Sequence, residues 1–171
     1  MILAVDVQYA DDSAFVAGVL FREWDAASPD KEFVSVLHQV AEYEPGKFYK
    51  RELPCILKLL EEHALKPSTI IVDGYVYLDG DQRPGLGKHL FDSLKEEVDV
   101  IGVAKKPFAG IGHECEIYRG ESSKPLYVTA TGELGVAKEL IASMHGKHRI
   151  PVLLKRVDQL CREAHKMAAN Q

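Results

Sequence analysis

Apolar and polar positions recur along this chain with two different periods, and the change of period divides it into elements. Residues 2–7 are an apolar run broken by Asp6, and residues 14–21 are a second run across the polar turn Asp11-Asp12-Ser13. Two such runs joined by a tight turn predict an antiparallel hairpin. Residues 33–40 carry β-branched side chains in partial alternation and predict a third strand. Glu42-Tyr43-Glu44-Pro45-Gly46 then predicts a turn, since Pro fixes φ and Gly tolerates positive φ. The spacing next becomes helical: Leu53, Ile56, Leu57, Leu60 and Ala64 share one face over residues 48–63, with Pro54 placed in the first turn. Ile70-Ile71-Val72 predicts a buried strand ending at Asp73-Gly74, followed by a glycine-rich loop and a helix over residues 88–97. Residues 98–103 predict another buried strand, which ends in Ala104-Lys105-Lys106-Pro107. A hairpin of residues 115–118 and 126–130 and two amphipathic helices, 132–144 and 152–167, complete the chain. Hairpins first and crossovers later imply an α/β fold, a mixed sheet with helices on its faces.

Composition narrows the class. At 171 residues and 19.0 kDa the chain has room for one domain, expected to span residues 1–171. Apolar residues at 46% and charged residues at 27% exclude a disordered, collagenous or coiled-coil chain. No apolar run approaches the ~20 residues that cross a bilayer, so no membrane role is expected. The start carries Asp6 and no basic segment, which argues against a signal peptide. Cys55, Cys115 and Cys161 are odd in number and form no CxxC, so neither a disulfide framework nor a zinc site is expected, and the cytoplasm is the natural compartment. The net charge of −5 argues against indiscriminate nucleic-acid binding. It leaves room for an enzyme that holds a metal with carboxylates and grips phosphate at one local patch.

The carboxylates are the informative feature. Asp6 interrupts an apolar strand, where a charge is costly unless paired or bound to a metal. Asp73 directly follows a second buried strand, and the carboxyl ends of strands are where open α/β sheets place their chemistry. If the two strands are neighbours, the acids converge in an oxygen pocket suited to Mg²⁺ or Mn²⁺. Each also has an ordinary reading, since a strand-end Asp is commonly a turn residue. Glu52 reads equally as a first-turn helix acid, Lys105 as a solvated strand end and Asp158 as a surface acid of the last helix. The seven histidines show no HxH or HExxH spacing, which sets aside a zinc hydrolase.

Together these fragments resemble the endonuclease V family, inosine-directed nucleases of DNA repair with an RNase H-like fold. Val5-Asp6-Val7-Gln8-Tyr9 resembles the family's first-strand motif. Tyr43-Glu44-Pro45-Gly46 followed by Lys50-Arg51-Glu52 is similar to its Tyr-x-Pro-Gly turn leading to Phe-Arg-Glu. Asp73-Gly74 with Gly85-Leu86 and His89 resembles its Asp-Gly loop, and Gly102-Val103-Ala104-Lys105 its Gly-Val-Ala-Lys. Arg149-Ile150-Pro151 with Asp158 resembles the final Arg-x-Pro motif and its helix. Departures fall elsewhere: the second glycine and the His-Pro of the Asp-Gly loop are missing, and Phe48-Tyr49-Lys50 stands where Leu-x-Phe is usual. The acids are kept while the loop that shapes the base pocket is changed, which implies retained hydrolysis with a reshaped pocket.

The resemblance implies an RNase H-like mixed sheet and a set of roles. Asp6, Glu52, Asp73 and Asp158 would hold Mg²⁺ or Mn²⁺, and Lys105 would offset phosphate charge. Tyr43, Pro45, Gly46, Arg51, Gly74 and His89 would contact substrate. It implies hydrolysis of a phosphodiester near inosine in DNA or RNA, leaving 3′-OH and 5′-phosphate, by a monomer with no obligate protein partner. Two alternatives stay open: a non-catalytic nucleic-acid-binding module, and another RNase H-like nuclease with altered base specificity. Clustered acids speak against the first, because negative charge near phosphates is no help to a binder.

Overall fold

The hairpin-first, crossover-later order is realised in one seven-stranded sheet, described for residues 1–170 in a computed structural model. β1 (Ile2–Ala10) and β2 (Ser13–Phe21) form the hairpin, with Ile2 opposite Phe21 and Ala10 opposite Ser13. β1 therefore runs past the expected stop at Val7, because its ladder with β2 satisfies the backbone up to the turn. β3 (Lys31–Leu37) pairs antiparallel with β2, earlier in the chain than its apolar residues alone predicted. β4 (Thr69–Asp73) lies parallel to β1, and β5 (Asp99–Ala104) parallel to β4. β6 (Glu116–Ile117) and β7 (Leu126–Ala130) close the far side in the order β3-β2-β1-β4-β5-β7-β6.

The period of two within the strands sorts the core into two layers. Leu3, Val5, Ile70 and Val72 pack beneath α1 (Tyr49–Glu62) and α2 (Leu86–Ser93). Ile2, Ala4 and Ile71 face the other way, toward α3 (Leu134–Ser143) and α4 (Val152–Ala169). Each such fully buried aliphatic side chain contributes ~1.5–3 kcal/mol. Among the described residues no helix is long and apolar enough to cross a membrane.

Two helix boundaries differ from expectation. α2 begins at Leu86 and ends at Ser93, because Lys95 and Glu96 take positive φ and cannot continue a helix. Pro54 sits in the second turn of α1, not the first; the amide it lacks is on the exposed side, where water can serve the carbonyl left without a donor. The start of α4 is tied down by Arg119, a buried residue whose guanidinium donates to the carbonyls of Met144, Gly146, His148 and Arg149. Arg149 in turn donates to the carbonyls of Lys105 and Pro125, joining the entry of α4 to the ends of β5 and β7.

Candidate active site

Parallel pairing brings the first two acids to one edge. The ladder of β1 with β4 ends at Ala4–Ile71, and two residues further along each strand Asp6 and Asp73 line the same cleft at the carboxyl edge of the sheet. Asp6 is 8% exposed, whereas the Asp73 residue opens to solvent at the mouth of the site. α4 brings Asp158 up from one face of the sheet, and α1 brings Glu52 from the other. A cleft of ≈ 30 Å³, room for a water-sized species, is lined by Asp6, Asp73, Lys105 and Asp158. A second, of ≈ 10 Å³, lies against Asp6, Asp73 and Glu52.

The position of Asp73 depends on close packing behind it. Gly74 donates its backbone N–H to the carbonyl of Val103 at 3.1 Å, and Val76 donates to Thr129 Oγ1 at 2.8 Å. This folds the Asp-Gly loop onto β5 at Gly102, where an added Cβ would stand 2.5 Å from the Gly74 carbonyl oxygen. Only glycine allows that approach, which gives the Gly102-Val103-Ala104-Lys105 segment its physical reason.

Crowding of acids shows in their protonation. Burial, then the charges of Asp73 and Asp158, pushes Asp6 up to about 7, and its carboxyl shares a hydrogen bond with that of Asp158. Burial also opposes ionisation of Asp158, but its bonds from Arg162 Nε at 3.0 and 3.1 Å and from Asp6 hold it below the usual range. Burial and the charge of Asp73 push Glu52 up to about 7, while burial raises Asp73 against the pull of Lys105.

Among the described residues no three acid, His or Cys side chains already stand gathered around one point. The donor set nevertheless fits a hard divalent cation: four carboxylates, two of which, Asp6 and Glu52, are pushed up to about 7 by burial and by the neighbouring charge of Asp73.

Beside the acids lies a cavity of ≈ 380 Å³, with Glu52, Asp73 and Lys105 at one end and Phe48, Tyr49 and Tyr75 among its walls. Gly46 and Gly74 also line it, and Gly46 has φ +77, the conformation that lets the Pro45-Gly46 turn close. His89 stacks on Tyr49 with ring centroids 3.7 Å apart, so it reaches the cavity through that ring. Tyr43 is exposed, packs against Phe48 and has Pro45 beside it at the surface. Arg51 lies with its guanidinium 4.0 Å from the Tyr9 ring centroid and its Nε buried without a partner. Lys105 and Lys106 also line the cavity, while Arg149 is occupied by backbone carbonyls. The pattern of the sequence did not single out Phe48, Tyr49, Tyr75 or Phe108 as cavity residues.

Comparison with known proteins decides what this site belongs to. The profile of the Endonuclease V family matches residues 1–145 of the chain. The chain belongs to the endonuclease V family. Endonuclease V of Streptomyces avermitilis is 31% identical over 98% of this chain and 81% of its own length, and that of Streptomyces coelicolor is 27% identical over 98% and 80%. The crystal structure of the Streptomyces avermitilis enzyme superposes with a TM-score of 0.78 at 30% identity, covering 98% of this chain and 82% of that one. Endonuclease V of Ciona intestinalis, crystallised with a 24mer DNA containing an inosine followed by a ribo-adenosine, shares the fold with a TM-score of 0.79 at 18% identity, over 98% and 86% of the two chains. The chain is thus a nuclease, a hydrolase of phosphodiester bonds, on the α/β fold of this family.

Proposed function

We propose that this endonuclease V family member is a divalent-metal-dependent endonuclease that hydrolyses a phosphodiester near inosine in DNA or RNA. The observation that carries this reading is the convergence of Asp6, Asp73, Glu52 and Asp158 at one sheet edge, beside an aromatic cavity. The complex of the Ciona intestinalis relative with inosine-containing DNA supports the choice of substrate.

In this reading the four acids hold Mg²⁺ or Mn²⁺. When bound, such an ion supplies Lewis acidity that acidifies water and offsets charge on the leaving 3′ oxygen, giving 3′-OH and 5′-phosphate ends. Asp6 and Glu52, raised to about 7, would have to be ionised to hold the ion, so activity is expected to rise with pH through the range near 7. Lys105, at the mouth of the cleft, faces the phosphate and counters its charge in the transition state. Tyr43 with Pro45 wedges the strand open beside the extruded base, a step that costs least for a mispaired or single-stranded nucleotide. Gly46 and Gly74 leave room for the base in the cavity, His89 steadies the Tyr49 wall, and Arg51 braces the turn from below. The protein acts as a monomer in the cytoplasm.

Incubation with inosine-containing single-stranded DNA and RNA tests this. Cleavage near inosine with Mg²⁺ and none in EDTA is expected. Intact strands in Mg²⁺ and in Mn²⁺ would remove the reading.

A further inference from the structure

Lys105 lines the ≈ 30 Å³ cleft opposite Asp158, yet the sheet does not hold it. It lies one residue beyond β5, whose ladders end at Val103 on one side and Ala104 on the other. Its carbonyl is held instead by Arg149, which donates from Nη2 to Lys105 and from Nε and Nη2 to Pro125. Arg149 belongs to the segment between α3 and α4, and that segment is gathered by one buried side chain. Arg119, 6% exposed, donates from Nη1 to the carbonyls of His148 at 2.7 Å and Arg149 at 3.3 Å, and from Nη2 to those of Met144 and Gly146. Among the described residues its terminal nitrogens bond only to backbone carbonyls, and its Nε is buried without a partner. Next to it Gly120, at φ +61, passes so close to the loop that an added Cβ would collide with the Lys147 carbonyl oxygen. A buried cation is a costly way to satisfy carbonyls that water could serve, and such departures mark functional positions. The contacts run without a gap from Arg119 through Arg149 to the cleft.

We propose that Arg119 is a positioning residue for phosphodiester hydrolysis: through the 144–149 loop and Arg149 it sets the place of Lys105 at the cleft. The proposal rests on the reading of Lys105 as the group that faces the phosphate and deepens it by naming what holds that group. A guanidinium suits the task, because its donors stand in a planar fork and address several carbonyls at fixed angles. Lysine carries the same charge on a flexible stem, and its three donors cannot serve four carbonyls.

Two measurements on Arg119→Lys test the clamp: hydrogen exchange of the metal-free protein, and single-turnover cleavage of an inosine-containing single strand in Mg²⁺. Exchange should quicken at residues 144–150 and also at 104–106. Cleavage should slow roughly 10- to 100-fold, the order of loss that a displacement of about 1 Å produces, while strand binding in EDTA stays parental. In a Lys105→Ala background the same substitution should slow cleavage little further, because the group it positions is already gone. Exchange quickened at 144–150 alone, or a rate loss that multiplies in full with that of Lys105→Ala, would make Arg119 a staple of its own loop and overturn the proposal. Should Arg119→Lys fail to fold, Arg149→Gln at its half-buried position should show the same pattern, and a folded Arg149→Gln with the parental rate would overturn the proposal too. Parental cleavage by Lys105→Ala would remove Lys105 from the site and the proposal with it. A parent that leaves the strand intact would count against the proposed substrate, and exchange at 104–106 would then decide the clamp alone.

Discussion

Single side chains at this site are held in states the isolated residues would not adopt. Asp6 has its pKa raised to about 7, first by burial and then by Asp73 and Asp158. Between its ordinary value and about 7 the folded protein holds a proton that the unfolded chain releases, so metal-free stability falls as pH rises through that window. Above the window the whole penalty remains. Asp6→Asn keeps a donor toward Asp158 without the charge, and should raise the metal-free Tm at pH 8 while leaving it nearly unchanged at pH 4. An expected gain of about 1–3 kcal/mol corresponds to several degrees in a chain of this length. Thermal melts of parent and variant across pH check this; a lower Tm for Asp6→Asn at pH 8 would contradict it. Asp73 is the more open acid, and its removal should act on chemistry. Asp73→Asn should lower cleavage of an inosine strand by at least ~10³-fold while binding is kept or tightened, since one negative charge near the phosphate is gone. Unchanged cleavage by Asp73→Asn would take that residue out of the mechanism.

Elements matter here for what they bring close. The β4–loop–α2 segment lies on β5 with no side chain between them at Gly102, and Asp73 stands where that contact begins. Gly102→Ala should push the Gly74 carbonyl away and displace Asp73, costing ~1–3 kcal/mol of stability as an overpacking change. Activity should fall further than that loss of stability explains, because a displacement of about 1 Å can cost ~10²-fold in rate. Cleavage assayed well below the Tm of the variant separates the two effects; parental activity would show that the contact does not position Asp73. The N-terminus of α1 is a second example, where the Pro45-Gly46 turn, the exposed rings and Glu52 follow one another within a single short segment. In sequence order the outer rings lead directly to an inner acid.

At the scale of the molecule, four acids from four separated segments come to one sheet edge only once the sheet has closed, and burying them there is part of the cost of folding. A divalent ion that binds the folded protein alone should stabilise it by ~2.7 kcal/mol at 100 times its Kd, raising Tm by roughly 5–10 °C. The shift with Mg²⁺ or Mn²⁺ should be larger at pH 8 than at pH 5.5, because protons on Asp6 and Glu52 compete with the ion. Asp6→Asn should shrink it, and scanning calorimetry with and without EDTA reads both. An equal shift in the parent and in Asp6→Asn would place the ion elsewhere. Much of this architecture was legible in the chain. The apolar runs of β1, β2 and β4, the partial alternation of β3, the helical spacing of α1, and an Asp inside one apolar run and after another gave the elements and two of the acids, because an element buried in the core shows its burial in the local pattern. The family motifs added Glu52, Lys105 and Asp158. Tertiary structure alone decided that Asp6 and Asp73 line one cleft, that Arg149 serves backbone carbonyls, and that Phe48, Tyr49 and Tyr75 wall a cavity. Strand order, register and the hydrogen-bond partners of a long side chain depend on residues far apart in sequence, and no local period records which distant segment will arrive beside them.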